Sequence, residues 1–359
     1  MLKNFWYACE FSSAVTSQPK QVQMLNQRFV LYRHSQGQVI ALQDQCPHRG
    51  AALSLGSVKD DCLHCPYHGW KFQANGRCIN IPSNGPDLPI PPQAQVKTYP
   101  VQEKYGYVWL FYGDLPEAER HPLPTFPADL AGMHPVEHEA IEHASYTRLM
   151  QANIDFAHVI AIHKKSFGQR IPLHTVIRYP VESDAWSAVA SVKYASLSNS
   201  KSTLNTLLGK RPDLTTRLSF YLPNVTLAEI SIGKGAKSDI RFGILVAFVP
   251  IDDHTTCAKR MLYRNVLPLP LLDGWVKKLD YKLAYEDTLV VETIPDQVLP
   301  RISAEQHVAA DALDLTFRKL RQKYLAMGWG LGAQAPAAPE AELLTAANGQ
   351  SAVPSLLAH

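Results

Sequence analysis

Half of the six cysteines in this 359-residue chain lie in one short stretch, CPHRGAALSLGSVKDDCLHCPYHGW (46–70), together with three of the 14 histidines. Thiols and imidazoles at this density are compatible with a disulfide framework, a zinc site or an iron–sulfur cluster. Each of these three kinds of site requires a different local fold around its ligands. The rest of the chain therefore has to be used to choose among them.

Composition and the N-terminus argue against disulfides. The formal net charge is only +3, so the chain has no basic surface for nucleic acid. The first residues, MLKNFWYACEF, lack the apolar core of a secretory signal, and no apolar run approaches the roughly 20 residues of a membrane span. The longest run, ILVAFVPI (244–251), predicts a buried strand. We therefore expect a cytoplasmic protein, where a reducing environment disfavours disulfides.

The ligands fall into two short pairs, Cys46-x-His48 and Cys65-x-x-His68. In a zinc finger of the Cys2His2 type both cysteines precede both histidines, whereas here each pair contains one of each. Such pairs predict a Rieske [2Fe-2S] cluster, in which one iron takes two thiolates and the other two imidazoles. Cys46 and Cys65 would hold the inner iron, and His48 and His68 the outer one. A zinc-stabilised binding module is the rival interpretation of the same residues.

The surrounding sequence favours a small β domain. Segments rich in β-branched and aromatic residues, including RFVLYR (28–33), QVIALQD (38–44) and VKTYPVQEKYGYVWLFYG (96–113), are separated by turn signals. Cys62 and His64 fit neither ligand pair, and we expect a strand to carry them into the second loop. The Pro-rich segment GDLPEAERHPLPTFPADL (113–130) predicts a linker.

A second candidate centre lies in LMQANIDFAHVIAIHKKSFGQR (149–170), which contains Asp155, His158 and His163. On an ideal helix Asp155 and His158 share a face, whereas His158 and His163 point about 140° apart. Both histidines can bind one ion only if the helix is distorted or ends near His163. The alternative is two unrelated histidines on a partly exposed helix.

With these motifs the chain resembles the catalytic (α) subunits of the Rieske non-heme iron oxygenases, from NFWYACE to about Gly330. The resemblance implies an α+β protein with an N-terminal all-β Rieske [2Fe-2S] domain (1–115). It implies a C-terminal catalytic domain (116–332) of the helix-grip, START/SRPBCC-like type, with an antiparallel sheet and helices. We expect a flexible tail at 333–359. His158 and His163 would bind a mononuclear Fe(II).

The family's third iron ligand is a carboxylate on a downstream helix. DYKLAYEDTLVVETIPDQ (280–297) is the stretch that resembles it, and Asp287 matches best. Glu286 and Asp280 are weaker candidates, and a solvated acidic helix face is the simpler interpretation. Asp155 is not assigned as a ligand. In the head-to-tail homotrimer that the resemblance implies, it would link His68 of a neighbouring subunit to His158.

Two further features concern the surroundings of this centre. Many relatives carry Asn or Asp three or four residues before the bridging aspartate, whereas here Asn153 lies two before Asp155. HVAADALDLTFRKLRQKYLAMGWG (307–330) predicts a closing helix with Leu and Phe facing the core and Arg and Lys facing outward.

The resemblance implies the oxygenase component of a multicomponent system. It would use O2 to hydroxylate or oxidatively demethylate a small organic substrate, aromatic or cyclic. Since the sequence has no Gly-x-Gly-x-x-Gly fingerprint, the electrons would come from a separate ferredoxin and/or NAD(P)H-dependent reductase. A cis-dihydroxylating ring dioxygenase is the alternative within the family. A non-catalytic Rieske electron-transfer protein is the alternative of another class.

Overall fold

The computed structural model describes residues 1–127, 130, 132–163, 171, 174–194, 213–233, 239–295 and 297–332, so the predicted tail at 333–359 lies outside the described residues. Its strands are β1 (Phe5–Phe11), β2 (Lys20–Met24), β3 (Gln27–Arg33), β4 (Val39–Gln43), β5 (Ser57–Lys59), β6 (Cys62–His64), β7 (Lys71–Phe72), β8 (Cys78–Asn80), β9 (Thr98–Tyr99), β10 (Val101–Lys104), β11 (Tyr107–Tyr112), β12 (His134–Glu142), β13 (Val181–Ser183), β14 (Ser187–Tyr194), β15 (Asp213–Tyr221), β16 (Val225–Gly233), β17 (Ile240–Pro250) and β18 (Thr256–Arg264). Its α-helices are α1 (Tyr146–Asn153), α2 (His158–Ala161), α3 (Asp273–Val291) and α4 (Ala312–Tyr324).

The N-terminal part of the chain is built from strands, as the sequence predicts. Two four-stranded sheets, β2-β3-β4-β9 and β5-β6-β7-β8, pack around a core that includes Leu42, Leu63 and Phe72. Cys46 and Cys65 belong to the same buried cluster. The two ligand loops therefore extend from a rigid apolar core.

A seven-stranded antiparallel sheet, ordered β12-β18-β17-β16-β15-β14-β13, dominates the remainder. Side chains alternate across a strand, and successive residues of β17 enter different cores. Leu245 and Ala247 pack in the cluster that contains Trp109 of the β1-β11-β10 sheet, whereas Val246 and Phe248 pack in the cluster of the helices. We call the helix-covered side of the seven-stranded sheet its inner face. The prediction of a buried strand over 244–251 is confirmed, since all these residues lie in β17 except Ile251.

The helices depart from the sequence predictions in two places. The closing helix predicted over 307–330 is shorter, since α4 spans Ala312–Tyr324 and a π-helical turn follows at Leu325–Trp329. The outward placement of its arginines is wrong. Arg318 is buried beside Glu305, and Arg321 is buried with its guanidinium 2.7 Å from the Tyr146 hydroxyl. Buried arginines are retained where such polar partners satisfy them.

The two ends of the described chain meet. Leu2 forms a bridge to Gly330, and the Lys3 amide donates to the Trp329 carbonyl. β1 thus packs against the end of the C-terminal half although it precedes the ligand loops. Within the described residues, no helix has both the length and the apolar character that crossing a bilayer requires.

Two candidate metal centres

The loops that carry the Cys and His pairs have the same backbone hydrogen bonds. In the first, the Cys46 amide donates to the Ala51 carbonyl and the Gly50 amide to the Cys46 carbonyl. In the second, the Cys65 amide donates to Trp70 and the Gly69 amide to Cys65. Gly50 and Gly69 have φ of 77° and 72°, which favours glycine. The chain therefore builds two equivalent loops with the same Cys-to-Gly spacing, although His follows Cys by two residues in the first loop and by three in the second.

The two loops bring their ligands together with sulfur inside and imidazole outside. Cys46 and Cys65 are buried, whereas His48 and His68 are exposed with ring centroids 4.5 Å apart. Burial raises the pKa of Cys46 to about 11, and the Cys65 thiol adds to the effect. The backbone N–H groups of His48 and Arg49 act in the opposite direction, because they donate to the Cys46 sulfur and favour a thiolate.

This donor set fits a Rieske cluster, which needs two thiolates and two neutral imidazoles. Partial desolvation lowers the pKa of His48, and His68 lowers it further, which favours the neutral form of the imidazole. Trp70 stacks on His48 at 4.8 Å with an interplanar angle of 6° and restricts its ring. Cys62 and His64 lie on β6, as the sequence predicts, outside both loops.

The segment around Asp155 is not one continuous helix. α1 ends at Asn153 and the single-turn helix α2 begins at His158. The Asp155 carboxylate accepts from the amides of Ala157 (2.6 Å) and His158 (3.1 Å), so it competes for backbone donors and interrupts the helix. The break makes the Asp155–His158 contact a turn contact rather than a helix-face contact. The requirement that the helix be distorted or end near His163 is met further on, because α2 ends at Ala161.

Because α2 ends at Ala161, before His163, both histidines can turn towards α3. His158, His163 and Asp287 each offer one ligand atom, and these atoms lie within 4.8 Å of one another. Asp287 Oδ1 is 3.6 Å from His158 Nε2 and 3.2 Å from His163 Nε2. Two histidines and one carboxylate in this arrangement are the donor set of mononuclear non-heme iron.

The far side of each imidazole is held by a second partner. His158 Nδ1 donates to the Asp155 carbonyl at 2.8 Å, and His163 Nδ1 lies 2.9 Å from Glu286 Oε2. Such contacts orient ligating imidazoles, so that Nε2 of each points towards Asp287. Burial of His163 opposes its protonation, but Asp287 and Glu286 outweigh it and raise its pKa.

One orphaned atom supports the fit. Asp287 Oδ1 is buried and has no hydrogen-bond partner among the described residues. A buried carboxylate oxygen without a donor is costly, and a cation between Asp287 and the two imidazoles would satisfy it. The residues present therefore fit a mononuclear iron.

The weaker candidates lie elsewhere. Glu286 contacts the far nitrogen of His163, and Asp280 pairs with His138 at 2.8 Å. Asn153 accepts from the Thr226 hydroxyl at 2.6 Å, and Gln151 donates to Asp314 at 2.8 Å. The positions that precede Asp155 thus serve contacts of α1 with the sheet and with α4.

Sequence reasoning missed the residues behind Asp287. Arg260 and Glu142 are buried on β18 and β12, and both interact electrostatically with Asp287. They are distant in sequence from every motif, and only the β12–β18 pairing brings them to α3. A buried charge cannot be recognised from spacing alone, because Arg and Glu are mostly exposed.

Two family models match the chain. The Rieske [2Fe-2S] domain matches residues 5–100, and the vanillate O-demethylase oxygenase C-terminal domain matches residues 143–327. The second model alone covers about half of the chain, and the two together contain both candidate centres.

Curated relatives and solved structures agree with these matches. The chain is 37% identical over 177 residues to 4beta-methylsterol monooxygenase of Methylococcus capsulatus, which covers 48% of each chain. It is 33% identical over 173 residues to the vanillate O-demethylase oxygenase subunit of a Pseudomonas species, with 47% of each covered. The alignment thus spans about half the length of these relatives. A dicamba monooxygenase structure with non-heme iron and dicamba superimposes with a TM-score of 0.74 at 22% identity, covering 91% of this chain and 98% of that one.

Proposed function

The chain belongs to the Rieske oxygenases that carry the vanillate O-demethylase type of catalytic domain, and we propose that it is the oxygenase component of a multicomponent system. The single observation that carries the proposal is the coexistence of two different donor sets in one chain. One is the pair of buried thiols beside exposed imidazoles, and the other is the group of His158, His163 and Asp287.

The proposed ligand assignment follows the geometry. Cys46, His48, Cys65 and His68 would hold the [2Fe-2S] cluster, and His158, His163 and Asp287 the ferrous ion. When bound, the cluster supplies single electrons and the ferrous ion supplies O2 activation. Asp155 and Glu286 would orient the two iron-binding imidazoles through their Nδ1 atoms.

The proposed reaction is monooxygenation. A C–H bond and O2, with two electrons and two protons, give an alcohol and water. If the hydroxylated carbon is an O- or N-methyl group, the product loses it as formaldehyde. Because the chain has no dinucleotide-binding fingerprint, the electrons would come from NAD(P)H through a separate reductase, with or without a ferredoxin. All six cysteines are free, which suits a cytoplasmic location.

The surroundings of the centre favour an apolar cyclic substrate. Val159 and Ile160, between the two histidines, pack beside Tyr194, Ile230 and Ile232 of the sheet's inner face. Ile230 is only partly buried although it faces inward. Aliphatic side chains that keep some exposure on a covered face are suited to contact an apolar ligand.

We further propose a head-to-tail homotrimer, in which a ring closes through one repeated heterologous interface. His68 is exposed, and the Asp155 side chain keeps 33% of its surface accessible. In this assembly Asp155 accepts from His68 of the next subunit and connects the cluster to the iron.

The experiment is O2- and reductant-dependent turnover of a panel of uncharged aromatic and alicyclic compounds, with reductase added and products identified by mass. Gain of one oxygen or loss of CH2 is the expected result, and gain of two oxygens with two hydrogens would indicate cis-dihydroxylation. Iron analysis supplements it, because an oxygenase holds about three irons per chain and an electron carrier about two. A protein with only the cluster iron and no turnover would contradict the proposal.

A further inference from the structure

Three aspartates repeat along α3 at intervals of seven residues, Asp273, Asp280 and Asp287. Seven residues make two helical turns to within about 20°, and they advance about 10 Å along the axis. The three carboxylates therefore form one row along the helix. The last of them is the proposed iron ligand.

The first aspartate of the row meets a His–Arg pair from the sheet. Asp273 is 3.0 Å from His134 Nε2 and 2.6 Å from Arg264 Nη2. His134 and Arg264 face each other directly across β12 and β18. The side chains of Asp273 and His134 remain 27% and 22% exposed, so this contact lies near solvent.

The middle aspartate meets a second His–Arg pair two turns later, inside the protein, although here only the histidine is within hydrogen-bond distance. Asp280 Oδ2 is 2.8 Å from His138 Nε2 and 3.9 Å from Arg260 Nε. His138 and Arg260 are again directly opposed on this face of β12 and β18, with the pair Val136 and Leu262 between them and His134 and Arg264. Glu142 Oε1 lies 3.4 Å from Arg260 Nη2, and all three charged residues are at most 7% exposed.

Arg260 is therefore the buried cation of a cluster of carboxylates. Burial opposes its charge, but Asp280, Glu142 and Asp287 together raise the pKa of Arg260. Removal of one partner of such a pair leaves an uncompensated buried charge. Asp273 already attaches α3 to the sheet near the surface. A second, buried group of charges with this energetic penalty therefore needs a reason other than attachment of the helix.

The apolar contacts of α3 are too few to define its position precisely. Its buried residues are Asp280, Ala284, Thr288 and Val291. Small and polar side chains do not interlock like Leu or Phe, so polar contacts must set the rotation and axial position of this helix.

We propose that Asp280 and Arg260 are positioning residues for the metal-binding carboxylate, and that their ion pair holds α3 so that Asp287 Oδ1 stays between His158 and His163. The inference rests on the proposed iron site. It predicts that the metal affinity of the site depends on the contacts of Asp280 and not on those of Asp273.

The test compares Asp280→Asn with the matched Asp273→Asn in cluster-loaded protein whose mononuclear site has been emptied. Co(II) is titrated, and its visible absorption reports both the dissociation constant and the coordination geometry. We expect Asp280→Asn to bind Co(II) at least about tenfold more weakly, as for other residues that orient a ligand, with an altered spectrum. Asp273→Asn should stay within about twofold of wild type, and the Rieske EPR signal should be unchanged in both.

Several outcomes would overturn the proposal. One is a Co(II) affinity of Asp280→Asn equal to that of wild type. Another is an equal loss of Co(II) affinity in Asp280→Asn and Asp273→Asn. A third is a Co(II) affinity that changes only in proportion to the melting temperature of each variant. If Asp280→Asn does not fold, His138→Gln on the edge strand β12 replaces it. We expect this variant to bind Co(II) about threefold more weakly, and unchanged Co(II) affinity would contradict the proposal. Asp287→Ala distinguishes failure of this proposal from failure of the proposed iron site. If it binds Co(II) like wild type, the iron assignment itself fails.

Discussion

At the scale of single residues, three histidines of the N-terminal part have similar sequence surroundings and different positions. His48 and His68 lie at the exposed rim with their rings together, whereas His64 lies on β6. We expect His48→Ala and His68→Ala each to abolish the EPR signal of the reduced Rieske cluster, because the outer iron loses an imidazole. His64→Ala is the control and should keep the signal. An unchanged signal in His68→Ala would contradict the ligand assignment.

Glu286 and Asp287 are adjacent on α3 and touch the same imidazole from opposite sides. Asp287→Ala should lose about one iron per chain and all turnover while the protein stays red-brown, because the cluster lies elsewhere. Glu286→Gln should keep the iron but bind it about tenfold more weakly, since an amide orients His163 less firmly. Iron analysis and metal titration measure both. Full iron content in Asp287→Ala would move the third ligand to another residue.

At the scale of elements, the interruption between α1 and α2 matters most. A continuous helix would separate His158 from His163, and the end of α2 at Ala161 avoids this. The carboxylate of Asp155 accepts from the amides of Ala157 and His158 and so fixes where α2 begins. The residue predicted to link the two metals therefore also creates the local geometry of the iron site. This explains why Asp155→Asn, which keeps one acceptor oxygen, is a better probe than Asp155→Ala.

The contact of α1 with α4 predicts a pH dependence. Burial raises the pKa of Asp314 to about 6, although Gln151 donates to its carboxylate. Since this folded-state pKa exceeds the unfolded value, the unfolded chain releases its proton first as pH rises. The contribution of Asp314 to stability is thus complete below about pH 4 and is lost by about pH 6.

Asp314→Asn lacks this titration and keeps an acceptor for Gln151. The difference in unfolding free energy between variant and wild type should grow in favour of the variant from pH 4 to 6, by about 3 kcal/mol, and then level off. Urea unfolding at a series of pH values measures it. A difference that does not change with pH would show that Asp314 titrates normally.

At the scale of the whole molecule, one buried ion pair joins the two halves. Lys259 of β18 is 2.7 Å from Glu10 of β1, and both side chains are almost fully buried. Lys259→Met leaves Glu10 with only the partly exposed Lys20 at 3.5 Å, and it should reduce the unfolding free energy by up to about 3 kcal/mol. Lys193→Met, at an exposed pair with Asp213, is the control and should cost less than about 1 kcal/mol. During unfolding of Lys259→Met, cluster absorbance and far-UV circular dichroism should be lost in one transition. Two separate transitions would argue against coupling between the two halves.

The proposed trimer is tested by mixing two inactive proteins. His68→Ala damages the cluster, and Asp155→Asn interrupts electron delivery to an intact iron. If electrons cross between subunits, some interfaces in reassembled trimers combine an intact cluster with an intact Asp155, and part of the turnover returns. If electrons stay within one chain, every subunit carries one lesion and the mixture remains inactive. Turnover before and after dissociation and remixing decides between these routes.

The sequence by itself determined the chemistry of the N-terminal loops, because the ligands, glycines and prolines of each loop are contiguous and their hydrogen bonds are local. It also singled out His158 and His163 as candidate iron ligands, Asp155 as a candidate link between the metals, and the need for a helix that is distorted or ends near His163. Three things were decided only by the tertiary structure. They are the approach of Asp287 to the two histidines, the burial of Arg318 and Arg321, and the pairing of Asp280 with Arg260. The physical reason is the same in each case. A lone charged residue has no local pattern, and whether it is solvated, buried or bound to metal depends on partners that the fold brings from distant parts of the chain.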